Sequence, residues 1–244
     1  MLSECQIHRT SMTEPVIHRV TTLDLKYEPW DWPFARRRRA DIDAHFALKQ
    51  REKPDIWNGR VLLARRPACV AERFSASYFA TDFASFLAWR DWGFPDPTVF
   101  NSFGMGALRC ADGAFVMGEM GPHTSTAGRI YFPAGTPDPD DIVGDSVDIA
   151  GSVAREVEEE TGLTQTDYRP SAHWDCVVAG NAIAMIRILQ ADLSGVALRR
   201  RIESNLARQP QPELSALHLV RELSDLTAAM PRFVTAFVEA QMSN

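Results

Sequence analysis

The stretch from Asp138 to Glu160 constrains this chain more than any other. It carries nine acidic side chains, Asp138, Asp140, Asp141, Asp145, Asp148, Glu156, Glu158, Glu159 and Glu160, against the single base Arg155. Its second half, DIAGSVAREVEEETGL, opens on Asp148, which suits a helix N-cap, and closes at Gly162, which suits a C-cap. A helix of about four turns is predicted between them. On it Glu156, Glu159 and Glu160 stand at i, i+3 and i+4, on one face, with Cβ atoms about 5 to 6 Å apart. Like charges so placed repel unless a cation binds them. The plain alternative is a solvated acidic face; the functional one is a site for a hard divalent ion, since Mg²⁺ uses one or two carboxylates together with waters and substrate phosphates.

The residue string decides between the two. REVEEETGL, from Arg155 to Leu163, resembles the core of the Nudix hydrolase box, and FPAG, from Phe132 to Gly135, is similar to the strand end and opening glycine that precede it. The resemblance spans roughly residues 100 to 242. It implies an α/β (α+β) fold, with a mixed β-sheet sandwiched between helices, and metal-dependent hydrolysis of a pyrophosphate bond with Mg²⁺ or Mn²⁺ as cofactor. Carried across, it makes Glu159 and Glu160 the principal metal ligands, Glu156 a further ligand or the water-activating base, and Arg155 an orienting partner for the carboxylates. The backbone carbonyl of Ala134 becomes another ligand. Glu213, just before the predicted strand LSALHLV, stands where many members supply one more carboxylate. Two departures stand out. Nineteen residues separate Gly135 from Arg155, a longer loop than the family pattern has, and Val147 occupies the place of the pattern's first glutamate. That glutamate pairs with the arginine in the family, so Asp145 or Asp148 is expected to substitute.

Around this helix the pattern alternates strands and helices. GRVLLARR (59–66) and ACVAERF (68–74) read as two short strands flanking a turn at Pro67, followed by a helix over 77–93. MGALRC and AFVMGEM surround Ala111-Asp112-Gly113, whose Asp-Gly pair supplies the backbone angles of a tight hairpin. Strands are predicted at 128–135, 172–178, 182–191 and 214–220, and helices near 195–208 and 225–242. Residues 1–55 form an N-terminal arm or small subdomain, 56–99 an accessory layer of strands and helix, and 100–244 the catalytic domain.

Composition bounds the partners. With 45% hydrophobic and 24% charged residues the chain is of ordinary globular type. Its net charge of -6 argues against a general attraction to nucleic acid or anionic membrane. The run Arg36 to Arg39 reads as solvated surface. Cys5, Cys69, Cys110 and Cys176 lack CxxC spacing and read as reduced, mostly buried thiols. Glu4, His8, Arg9, Glu14, His18 and Arg19 interrupt the first twenty residues, so no signal peptide is expected there, and a cytoplasmic protein is expected. Of the histidines, none has metal-ligand spacing; His123 is a candidate for a phosphate or sugar contact, and a local structural role is the plainer reading. The partner is a small nucleoside diphosphate substrate, and a homodimer stays open.

The flanking features bear on the substrate. The elongated loop FPAGTPDPDDIVGDSV, the segment WNGRVLLARR and the aromatic helix SYFATDFASFLAWRDWG look like a minor Nudix branch that hydrolyses UDP-glucose and related nucleotide sugars. Trp89, Trp92, Phe94 and Phe100 are candidates for a base-stacking wall, against the alternative that they are core. Hydrolysis of ADP-ribose, dinucleoside polyphosphates or oxidised nucleotides is the closest competitor. A non-catalytic nucleotide-binding regulator that keeps the fold is the second.

Overall fold

The computed structural model describes residues 5–7, 14–54 and 56–243. Glu4, His8 and Arg9 of the N-terminal sequence lie outside them, as does the side chain of Cys5. Among the described residues six α-helices form: α1 (Pro33–Arg37), α2 (Arg39–Glu52), α3 (Phe83–Asp91), α4 (Ile149–Thr161), α5 (Gly195–Leu206) and α6 (Arg232–Met242). None is long and apolar enough to cross a membrane.

The strand Val99–Arg109 organises the sheet. Its first residues pair antiparallel with Arg60–Val70, and from Asn101 onward it runs parallel to Ala182–Ala191. Beyond Ala182–Ala191 come Trp174–Ala179 and then Val16–Val20, both antiparallel. The Asp-Gly hairpin forms as the sequence predicts, with Phe115–Met120 returning along Leu108 and Arg109 and Leu214–Val220 added outside it. One face of this mixed sheet is covered by α4 and α5 through Val153, Val157, Leu198 and Ile202. The other is covered by α6 through Val234, Phe237 and Val238, which meet Phe103, Met105, Phe115 and Phe132. The sheet is thus sandwiched between helices, an α+β arrangement.

The N-terminal layer differs from the sequence reading in two places. Pro67 makes no turn: Arg60–Val70 is one eleven-residue strand that passes through it by a register shift between Arg65 and Ala68. Proline is tolerated in a sheet at such a bulge, where no ladder donor is required of it, and its carbonyl accepts from Ile7 N–H at 2.9 Å. The turn falls later, at Ala71-Glu72, and residues 77–82, expected to be helical, complete the strand Arg73–Asp82. Alternating burial along that strand explains the difference, because its inward side chains feed the core while the helix begins only where Asp82 accepts from Ser85 N–H as N-cap. Likewise α6 starts after Pro231 rather than at Asp225, where a short 3-10 turn, Leu223–Asp225, stands instead.

Trp89 is buried in the accessory core, where Trp92 and Phe94 pack against the aromatic cluster of Trp32, Phe34, Phe79 and Phe86, and Phe100 is buried in the core under α4, so these side chains form no stacking wall. The arginine run is absorbed at the surface: Arg36 pairs with Asp31, Arg38 with Asp41, and Arg39 with Asp43 and Asp82. Cys110 and Cys176 are buried, which pushes the Cys110 thiol up to about 11 and that of Cys176 upward as well.

The elongated loop is a built element. A 3-10 turn at Pro139–Asp141 is followed by a small hairpin, Ile142–Val143 against Ser146–Val147. Ser146 pairs with Lys26 in the strand Thr22–Tyr27, Tyr27 N–H donates to the Asp145 carbonyl at 2.9 Å, and Leu62 N–H donates to the Pro137 carbonyl at 2.7 Å. The loop is therefore fastened to the N-terminal layer on one side and leads into α4 on the other.

Candidate active site

Helix α4 begins at Asp148, whose side chain accepts from Gly151 N–H at 2.9 Å, and ends at Gly162 with φ of 73°. Its inner face is fixed by Val153 and Val157 in the core, so Glu156 and Glu160 are carried to the strand end Ala134–Gly135. Glu160 is 3% exposed and accepts from Ala134 N–H at 3.2 Å. Burial pushes its carboxyl well above the usual range; Glu213, Glu156 and Glu159 add to the rise and the Ala134 amide opposes it. Glu156 packs so closely on Gly135 that a Cβ there would lie 2.1 Å from its Oε1. Its carboxyl is pushed up to about 7 by burial, with Arg155 pulling down and Glu159, Glu213 and Asp141 pushing up. Glu159 is exposed, and its carbonyl accepts from Gln209 Nε2 at 3.2 Å.

Glu213 comes to this cluster from the start of the strand Leu214–Val220. Its carbonyl accepts from Gly121 N–H at 2.8 Å. Burial and Glu159 raise its carboxyl, while His123, which stands beside it, lowers it. The sequence reading missed Tyr131. Its hydroxyl lies 2.7 Å from Thr126 Oγ1, and its phenol is raised by burial and then by the charges of Glu160, Glu213 and Glu156. The period-two pattern of the strand end held that signal, because Tyr131 alternates with Ile130 and Phe132, both in the core.

The partner of Arg155 is neither Asp145 nor Asp148. Arg155 Nη2 donates to Asp141 Oδ1 at 2.8 Å, and its Nη1 donates to Glu156 Oε1 at 3.3 Å. Asp141 is 5% exposed and also accepts from Ser152 Oγ and Asp138 N–H, each at 3.1 Å. Asp145 pairs with Lys26 at the surface, and Asp148 is occupied as the helix cap. Val147 is buried in the core, as an apolar residue there should be. Among the remaining histidines, His218 meets Glu119 and His45 meets Asp91, each at 2.9 Å.

Among the described residues no three His, Cys, Asp or Glu side chains stand close enough to hold a metal ion together. The donor set still fits a hard divalent cation. All four groups are carboxylates, burial and neighbouring carboxylates raise Glu156 and Glu160, and Glu160 is buried and accepts from a backbone amide. Uncompensated charge in such a place is costly, and a cation offsets it.

No family model and no curated protein matches this chain. Among solved structures, a Nudix hydrolase from M. smegmatis aligns over 58% of this chain and 84% of its own, at 13% identity and a TM-score of 0.37. The MutT protein from Methanosarcina mazei covers 59% of this chain and 94% of its own, at 19% identity and 0.39. A Nudix hydrolase from Nitrosomonas europaea covers 59% and 89%, at 16% identity and 0.39. These likenesses are partial and name no substrate for this chain.

Proposed function

We propose that the chain hydrolyses the pyrophosphate bond of a nucleoside diphosphate joined to a second moiety, with a nucleotide sugar such as UDP-glucose as substrate and Mg²⁺ or Mn²⁺ as cofactor. The observation that carries this reading is the meeting of Glu156 and Glu160 with the strand end Ala134–Gly135, where Glu213 adds its charge to that of the helix carboxylates.

Glu159, Glu160, Glu213 and the Ala134 carbonyl would hold the divalent ions, which when bound draw charge from the phosphoryl oxygens and stabilise the leaving phosphate. The protein's own residues do the rest. Asp141 holds Arg155, and Arg155 in turn aims Glu156. Glu156 accepts a proton from the attacking water as its oxygen bonds to phosphorus. The bridging P–O bond breaks, giving a nucleoside monophosphate and a sugar 1-phosphate. No serine or cysteine nucleophile is required.

Support for a nucleotide sugar comes from the loop Gly135 to Val147 and the accessory layer. The loop is fastened to the accessory layer at Leu62–Pro137 and to the N-terminal segment at Tyr27–Asp145, the parts of the chain proposed to shape a pocket for the groups on either side of the diphosphate. A panel of UDP-glucose, ADP-ribose, diadenosine polyphosphate and oxidised nucleoside triphosphate, each with Mg²⁺ or Mn²⁺, tests the proposal. UDP-glucose is expected to turn over fastest. Faster consumption of ADP-ribose would reject the substrate while leaving the chemistry, and absence of turnover with retained nucleotide binding would reject the hydrolase.

A further inference from the structure

We infer that a cavity on the back of α4 binds a small organic oxyanion, a carboxylate or phosphate on an apolar body, through Arg187. The inference lies outside the proposed hydrolysis and needs neither the glutamates nor their metal. Along the strand Ala182–Ala191 side chains alternate between the two faces of the sheet. Met185 and Leu189, two positions to either side of Arg187, are buried in the core under α4. Period two therefore puts Arg187 in the same row, where an arginine is ordinarily paired with an acid.

Arg187 has no such partner. Its Nε donates to the Ser171 carbonyl at 2.8 Å and its guanidinium lies over the Trp174 ring, 5.1 Å from the centroid, but among the described residues it forms no ion pair. Burial lowers its pKa, and no neighbouring acid opposes the shift. Ser171 and Trp174 thus fix the guanidinium and leave its Nη donors for a further acceptor.

The fold keeps room for that acceptor. A cavity of about 320 Å³ lies between α4 and the strands that carry Arg187 and Trp174, within the range of about 300 to 1,000 Å³ usual for small-molecule sites. From α4 it is lined by Ala150, Gly151 and Ala154, whose small size leaves the space open, while Leu189 and Trp174 give it apolar walls. Asp148, the acid in the lining, is engaged through Oδ1 as the cap of Gly151 N–H. Tyr168 lines the same cavity; it is 6% exposed, and its buried hydroxyl has no hydrogen-bond partner among the described residues. A cation without a counter-ion and a hydroxyl without a partner, beside one cavity, fit a ligand that accepts hydrogen bonds and carries negative charge. The carboxylate face of α4 is elsewhere, because Ala154 stands about 160° round the helix from Glu156.

Thermal melts in EDTA read binding here without catalysis, since removal of the metal leaves the glutamates to repel anions. Benzoate and phenyl phosphate are the test anions and benzamide is the neutral control, all at constant ionic strength. Arg187→Met removes the cation, Ala154→Leu fills the cavity from α4 with the arginine in place, and Arg200→Met removes an exposed arginine of α5. At a few times the Kd, wild type and Arg200→Met are expected to gain about 2 to 4 °C in Tm, with no gain in Arg187→Met or Ala154→Leu and none from benzamide. Calorimetric titration of wild type with the two anions then assigns the preferred headgroup as carboxylate or phosphate. No gain in wild type with either anion, or the same gain in Arg187→Met, would overturn the site. A gain kept in Ala154→Leu would put the anion outside the cavity and overturn it equally, and a matching gain from benzamide would overturn the role of the charge.

Discussion

Arg155 donates through Nη2 to Asp141 at 2.8 Å, which ties the carboxylate helix α4 to the 3-10 turn of the elongated loop. Asp141 is buried and accepts from Ser152 Oγ and Asp138 N–H as well, so the turn, the helix and the arginine share one acceptor. Replacing it with alanine leaves those donors unmatched. Asp141→Ala is expected to cost about 1 to 3 kcal/mol of stability and to lower kcat about ten- to a hundredfold through misplacement of Glu156, with KM little changed. Asp145→Ala, at an exposed pair with Lys26, should leave hydrolysis unchanged. Steady-state kinetics and urea unfolding check both, and a greater loss in Asp145→Ala would contradict the assignment.

Gly135 tests the contact with Glu156. An alanine methyl there would overlap the Glu156 carboxylate, and because that carboxylate is the far end of a flexible side chain it can swing away without unfolding the protein. Gly135→Ala is therefore expected to keep the wild-type circular dichroism spectrum and to lower kcat, because Glu156 no longer stands where it takes the proton from the attacking water. A wild-type kcat would show that Glu156 does not act from its position against the strand end.

Burial of the glutamates sets a sign for pH and metal effects. Glu156 has its folded pKa raised to about 7, from an ordinary value near 4.5, by burial first of all. A folded state that binds the proton more tightly than the unfolded one is stabilised while the proton stays on, so metal-free stability should decline as pH rises from about 4.5 to about 7. Glu160, raised by burial as well, contributes a decline of the same sign. Thermal melts in EDTA should show this fall, and Glu160→Gln should flatten it while abolishing the Tm increase that Mg²⁺ gives the wild type. Glu159→Gln should likewise lose metal-dependent turnover with its fold intact. Equal Mg²⁺ stabilisation of wild type and Glu160→Gln would remove Glu160 from the ligand set.

Glu213 enters from a different strand and can be removed without touching α4. Glu213→Gln is expected to lower kcat more than it changes KM, since a carboxylate that completes the site acts on the reaction rather than on substrate capture. Wild-type kinetics in this variant would make Glu213 an exposed loop charge.

The parts of the fold legible in the sequence were those set by local chemistry. Asp148 and Gly162 marked the ends of α4 because caps answer unpaired backbone groups within one turn, and Asp112-Gly113 marked the hairpin for a similar reason. Residues 77–82 misled, because SYFATD carries apolar side chains at spacings that satisfy a helix as well as a buried strand, and only the pairing with Arg60–Val70 decides. Pro67 misled because a bulge can absorb what otherwise reads as a turn. Within the site, the spacing of Glu156, Glu159 and Glu160 was legible, whereas the pairing of Asp141 with Arg155 was not. That pair depends on how the loop folds back, which no local pattern encodes. Trp89 and Phe100, conspicuous in sequence as candidates for a stacking wall, are core, because burial depends on the tertiary packing of the layer.

The central claim is that the carboxylate face of α4 cleaves the diphosphate of a nucleotide sugar. Incubating the protein with UDP-glucose and Mg²⁺ and quantifying both products by chromatography tests it most directly. UMP and glucose 1-phosphate should appear in equal amounts, only when the divalent ion is present, and not with Glu160→Gln. UDP and free glucose, or products that form equally well in EDTA, would contradict it.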